Sequence, residues 1–225
     1  MSTRLYAGKP AVYYEGARAD FVALLDPMRH PKVLEIGCGA GATGALALAQ
    51  GKCTRYCGVE LTPEAAASAR SHISEVVLGD VERVDLPWRP GSFDALLLSE
   101  VLEHLINPED TLRMLYKLLR PEALVLASSP NIAHYRVLAM LLRGRFTPTD
   151  YGVMDRSHLR WFTPFEYRRI FEDAGFTVLR VSGHGDPGPR VRALSRVTPK
   201  FAEHLLWRQV EVEATRGGRE SSVRR

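Results

Sequence analysis

Between residues 32 and 127 the chain alternates short, continuously apolar runs with stretches of helical character, and this alternation limits the possible folds more than any other feature. Residues 32–37 (KVLEIG) form a buried-type run that ends on glycine, and residues 42–50 (ATGALALAQ) follow as an Ala/Leu-rich helix. Residues 54–61 (TRYCGVEL) make a second run. Thr62, Pro63 and Glu64 then supply a cap, a first-turn proline and an acid for a helix over residues 63–72. Residues 75–78, 93–98 and 124–127 read as three further strands. A turn at Pro90, Gly91 and Ser92 precedes the second of these, and Asn107 and Pro108 open a helix with Leu112, Leu115, Leu118 and Leu119 spaced by three and four. Strands apolar on both faces need cover on both faces, which predicts an α/β fold: a Rossmann-like, mostly parallel sheet between helices.

After the fifth strand the rhythm breaks. Residues 131–162 contain Tyr, Arg and Gly and are too long for an ordinary connection, so they are expected to form a lid. A helix over 163–174, stopped by Gly175, a strand over 177–181, a turn or mobile loop over 186–189 and a last strand over 205–212 complete the expected order. With 225 residues the chain suits one domain, read as 1–215 with a basic, flexible tail over 216–225.

Composition narrows the classes. No apolar run nears the roughly 20 residues a membrane span needs, and the N-terminus lacks the apolar stretch of a signal peptide, so a cytoplasmic protein is expected. Cys38, Cys53 and Cys57 offer neither a disulfide framework nor a four-ligand metal set, and the seven histidines show no local ligand spacing; no metal is expected. The net charge of +4 is a C-terminal property, because residues 180–225 carry ten basic and five acidic side chains. Such an end is more often a solvated Arg-rich face than a nucleic-acid surface.

The chemistry gathers at strand ends. Residues 35–41 (EIGCGAG) close the first strand with glycines, which permit a sharp turn and a close approach by a ligand. Residues 39–44 also spell G-x-G-x-x-G, with Glu60 placed 19 positions after Gly41, so the glycines alone fit a dinucleotide equally well. Charge separates the two cases: ionised Glu35 would repel a pyrophosphate and attract a cation. Glu60 can accept from two ribose hydroxyls or serve as a helix-start acid. Asp80 can accept from an adenine amino group under the cover of Val81, or cap a turn.

Taken in order, VLEIGCGAG, GVEL, GDVERVDLP, GSFDALLLSEVLEHL and LLRPEALVLASSPN resemble the motifs of class I S-adenosylmethionine (SAM)-dependent methyltransferases over residues 33–131. The resemblance implies a seven-stranded sheet with a reversed last strand and SAM as cofactor. It places Glu35, Gly37, Gly39 and Gly41 at the methionine end, Glu60 and Leu61 at the ribose, Asp80 and Val81 at the adenine, and Ser99 and Glu100 on the floor. Residues 121–123 (Pro-Glu-Ala) depart from the family's frequent Pro-Gly-Gly. Residues 128–176, with Tyr13, Tyr14 and Arg18, resemble a branch associated with glycan and cell-surface polysaccharide assembly, and Tyr14 joins the expected cofactor residues.

Methylating a hydroxyl requires alignment with the donor and, usually, a base. His158, oriented by Asp155, is the first candidate and His134 the second; either could equally brace the loop, and His104 reads as a brace. The expected activity is base-assisted O-methylation of a small-molecule or sugar hydroxyl. RNA, a quinone-type phenol and a non-catalytic SAM-binding scaffold are the alternatives.

Overall fold

The computed structural model describes residues 16–184 and 198–217. Among these residues seven strands form one sheet in the order β3-β2-β1-β4-β5-β7-β6. They are β1 (Lys32–Ile36), β2 (Arg55–Glu60), β3 (Glu75–Leu78), β4 (Phe93–Ser99), β5 (Leu119–Pro130), β6 (Phe176–His184) and β7 (Gln209–Arg216). The pairs β1–β2, β2–β3, β1–β4 and β4–β5 are parallel, while β7 runs antiparallel to both β5 and β6. The expected reversed strand is therefore present. Strand order turns back between β1 and β4, and a crevice at such a switch point is where open α/β sheets bind ligands.

The described residues carry helices α1 (Ala19–Leu24), α2 (Ala42–Ala49), α3 (Pro63–Ala69), α4 (Pro108–Leu118), α5 (Tyr135–Leu142) and α6 (Pro164–Asp173), of which all but α5 flank the sheet. Successive strand residues face opposite ways, which divides the core in two. Leu34, Leu96 and Val125 pack with Leu112, Leu115 and Phe171 on one face. Val33, Tyr56 and Leu97 pack with Phe21, Ala47 and Ala69 on the other.

Three expected boundaries are corrected. The strand placed at 124–127 begins at Leu119, directly after α4, and runs to Pro130 because both of its edges are paired. The strand placed at 205–212 is Gln209–Arg216; the Leu205-Leu206 pair behind the earlier expectation lies in a 3-10 turn, Lys200–Leu206. Arg216 thus belongs to the sheet and not to a tail. Residues 186–189 and 218–225 lie outside the described residues.

Within 131–162 the segment folds back on itself. It carries α5 and is closed by bridges between Asn131 and Phe162 and between Thr149 and Asp155. No helix among the described residues is long and apolar enough to cross a membrane.

Candidate functional site

A cavity of about 360 Å³ opens at the carboxyl ends of the central strands, beside residues 16–18. Its wall carries four carboxylates, Glu35, Glu60, Asp80 and Glu100, and one guanidinium, Arg18. An anionic wall of this kind suits a ligand with an ammonium and a sulfonium and disfavours a pyrophosphate.

The turn after β1 forms part of the cavity wall. Gly37 has φ 71°, and a Cβ there would stand 2.9 Å from Val101 Cγ2. Glycine is required on both counts. Gly39 also lies on the wall, whereas Gly41 does not: it begins α2 at φ 86°, where a Cβ would meet Ala69 Cα at 3.1 Å. Its place is the packing of α2 against α3.

Glu35 is fully enclosed and accepts from Tyr56 OH at 2.9 Å. Burial pushes its pKa up to about 7, against the pull of hydrogen bonds from Tyr56 and Thr43 and the charge of Arg18. Glu60 is tied to the glycine turn. Its Oε2 accepts from Gly39 N at 2.9 Å, and its Oε1 accepts from Thr62 N and Oγ1 at 2.8 and 2.9 Å. A carboxylate has about four lone-pair positions, so Glu60 keeps capacity for one more donor. Leu61, Asp80 and Val81 continue the wall, with Asp80 Oδ1 accepting from Glu82 N at 3.1 Å.

On the opposite side Ser99 Oγ accepts from Arg18 at 2.7 Å, and Glu100 Oε1 accepts from Gln209 Nε2 at 2.5 Å. Although Glu100 keeps accessible surface at the mouth, the surrounding walls desolvate its carboxyl and raise its pKa. Arg18 also reaches Ser128, Asp20 and Glu211, at 2.6, 2.7 and 2.5 Å. It thereby ties residues 16–20 across β4, β5 and β7, a role that no local pattern in the sequence signals. Tyr14 lies outside the described residues.

Of the three acceptor-side candidates, His158 and Asp155 lie together, with His158 N donating to Asp155 O at 3.1 Å. His158 is buried against His104, which lies on the cavity wall; the two ring centroids are 4.8 Å apart. Its Nδ1 faces Val153 O at 3.1 Å. Asp155, also buried, accepts from Ser157 N and Oγ at 2.9 and 2.7 Å. His134 is not on the cavity wall. It caps α5, its Nδ1 accepting from Arg136 N at 3.4 Å, and burial lowers its pKa with help from Arg136 and Arg208. Asn131 fastens the start of the segment, donating to His204 O and Trp207 O at 2.8 and 3.0 Å.

The chain matches the methyltransferase-domain family over residues 13–181. It is 27% identical over 193 residues to the ubiquinone biosynthesis O-methyltransferase of Chromobacterium violaceum, covering 83% of this chain and 82% of that one. The enzyme of the same name from Xanthomonas campestris is 32% identical over 128 residues, covering 55% of this chain and 53% of its own. Among solved structures, a chain of the complex between the Haloferax volcanii Trm112 methyltransferase activator and a methyltransferase superposes with a TM-score of 0.65 at 18% identity, covering 97% of this chain and 95% of that one. A SAM-dependent methyltransferase from Mesorhizobium loti superposes with a TM-score of 0.61 at 18% identity, covering 88% and 96%. The chain belongs to the methyltransferase-domain family and is a class I methyltransferase whose methyl donor is SAM.

Proposed function

We propose that this enzyme methylates a hydroxyl oxygen of a small molecule, a phenol of the quinone-precursor kind. The observation that carries this reading is the cavity wall just beyond β4, where apolar Val101 and Leu105 stand with Glu100 and His104. Such walls suit a flat ring bearing a hydroxyl better than a sugar polar on every face. The names of the curated relatives support the same choice. The likeness of residues 128–176 to the glycan-associated branch keeps a saccharide hydroxyl as the second reading.

SAM supplies a methyl group on a positive sulfur; transfer makes one C–O bond, breaks one S–C bond and requires the acceptor proton to leave. The chain's part is to hold and orient. In this reading Glu35 faces the ammonium, Gly37 and Gly39 let the methionine end approach the backbone, and Glu60, beside Leu61, accepts from the ribose. Asp80 accepts from the adenine amino group over Val81, and Ser99 and Glu100 line the floor. The 131–162 segment closes over the acceptor and excludes water, within a single domain.

Formation of S-adenosylhomocysteine with catechol-type phenols, free hexoses and RNA tests the assignment. Turnover with phenols at least about 10-fold above the others, a difference of about 1.4 kcal/mol in the barrier, is expected. Turnover confined to hexoses or RNA would transfer the assignment to that acceptor.

A further inference from the structure

Beside the donor cavity lies a buried cluster that donor binding leaves unused. Glu103, His104 and His158 bring a carboxylate oxygen and two ring nitrogens within 4.8 Å of one another, and all three residues are buried. The 3-10 turn Leu102–His104 supplies the first two. The third arrives because Leu159 N and Arg160 N both donate to Glu103 O, at 2.8 and 3.0 Å, which pins the acceptor segment onto that turn.

Each ring is oriented from its outer edge. His104 Nδ1 faces Ser157 O and His158 Nδ1 faces Val153 O, both at 3.1 Å. A carbonyl can only accept, so each neutral ring carries its proton on Nδ1 and its lone pair on Nε2. Metal-binding imidazoles are held in this way, with the far N–H given to a backbone carbonyl. Glu103 completes the set. Its Oε2 accepts from Ser129 Oγ at 3.1 Å, while Oε1, buried in a residue only 1% exposed, has no hydrogen-bond partner among the described residues. A second group, Asp20, His184 and Glu211, is less buried, and Arg18 already neutralises its carboxylates at 2.7 and 2.5 Å. That leaves the first cluster as the better cation site.

We propose that Glu103, His104 and His158 bind a first-row divalent ion of the Zn²⁺ or Mn²⁺ class at the acceptor end of the cavity. Two imidazoles and one carboxylate suit such ions, and three protein ligands leave positions open for water or substrate. With His104 on the cavity wall, an open position adjoins the acceptor space. A hydroxyl beside a dication gives up its proton more readily, so no side-chain base is needed. His158 then acts as a ligand and not as the base. This last role rests on the O-methylation reading; ion binding does not.

The test is titration of chelator-stripped full-length protein with Zn²⁺ and with Mn²⁺, by calorimetry and by electron paramagnetic resonance. One ion per chain is expected. Glu103→Gln and His158→Ala should each weaken it by at least roughly 100-fold, the upper end of what losing an outer partner alone costs. SAM affinity should hold in both variants, and His184→Ala should leave the ion in place. Co²⁺ loaded into the unaltered chain gives a readout that needs no variant, through visible bands of a nitrogen and oxygen site. Binding no tighter than in His158→Ala, loss of the ion in His184→Ala, or absence of those Co²⁺ bands would overturn the site. If the ion binds and no phenol is methylated, the O-methylation reading falls and the site stands. If ion-free protein methylates phenols at the full rate, only the ion's part in the reaction falls.

Discussion

The donor half and the acceptor segment position their polar groups by opposite means. Glu35 lies on β1, Glu60 closes β2, Asp80 follows β3, and Ser99 closes β4 with Glu100 next to it. Parallel register therefore lines these groups up along one edge of the sheet. His158 and Asp155 lie on irregular chain, held by a few long-range hydrogen bonds and two bridges. A site carried on strand ends inherits its geometry from the core, whereas a site carried on a folded-back segment depends on a handful of contacts. Donor binding and acceptor chemistry should thus be separable by mutation.

The sharpest separation is His158→Ala. Turnover should fall by at least about 100-fold, the scale of losing acceptor activation, while SAM affinity stays within about 2-fold because Glu35, Glu60 and Asp80 are untouched. Equal losses in both, measured by single-turnover kinetics and calorimetry, would show that the two regions act as one.

Glu35 tests the donor side through pH. Its folded pKa of about 7 exceeds the ordinary value of 4.5, so the native state without ligand holds a proton that the unfolded chain releases. Stability from this group is full below pH 4.5 and is lost as pH rises to about 7. The loss amounts to about 3 kcal/mol at 1.36 kcal/mol per unit. Urea unfolding at pH 5 and pH 8 should show most of that drop in the unaltered chain and a smaller one in Glu35→Gln. The comparison with the variant is needed because Glu100 and Glu103 are raised as well and add in the same direction. SAM binding should release a proton near neutrality, since a cation favours the ionised carboxylate. Equal pH slopes in the two proteins would remove Glu35 from the donor site.

A smaller effect is expected at His134. Neutral His134 spends its Nδ1 lone pair on the helix end, so its Nε2 carries the proton and has none to take. Alanine there should cost about 0.5–1 kcal/mol of stability, as for a weak cap, and leave kcat with a phenol acceptor near the original value. A loss of turnover above about 10-fold, a barrier change of about 1.4 kcal/mol, would return His134 to the reaction.

The same contrast governs what could be read from sequence. β1, its glycine turn and Glu35 are contiguous, so an apolar run, a breaker and a carboxylate announce a strand-end site. β7 is harder to read, because the apolar Leu205-Leu206-Trp207 run precedes it and the period-two burial of Val210, Val212 and Ala214 shows its meaning only against β5 and β6. His104 and His158 are far apart in the chain and meet only through the donations to Glu103 O. A search for ligand spacing along the sequence has no access to such a pair.

Among the described residues two that are not glycine have positive φ, Glu100 at 53° and Glu122 at 63°. Glu122 is exposed at the start of β5, between the pairs Phe93–Leu119 and Ala95–Leu124 where the register shifts, at the point where the family often carries glycine. Left-handed backbone costs an L-residue about 1–2 kcal/mol that glycine does not pay, offset in part by glycine's freer unfolded chain. Glu122→Gly should therefore gain about 0.5 kcal/mol, one to two degrees in Tm for a chain of this size, with activity unchanged. Glu100→Gly relieves similar strain but removes a carboxylate from the cavity wall, so any gain in Tm should come with weaker turnover. Strain at the site then serves to aim a functional group, whereas strain in the turn serves nothing. A Tm that falls in Glu122→Gly would show that its carboxylate or backbone has work the turn geometry does not reveal.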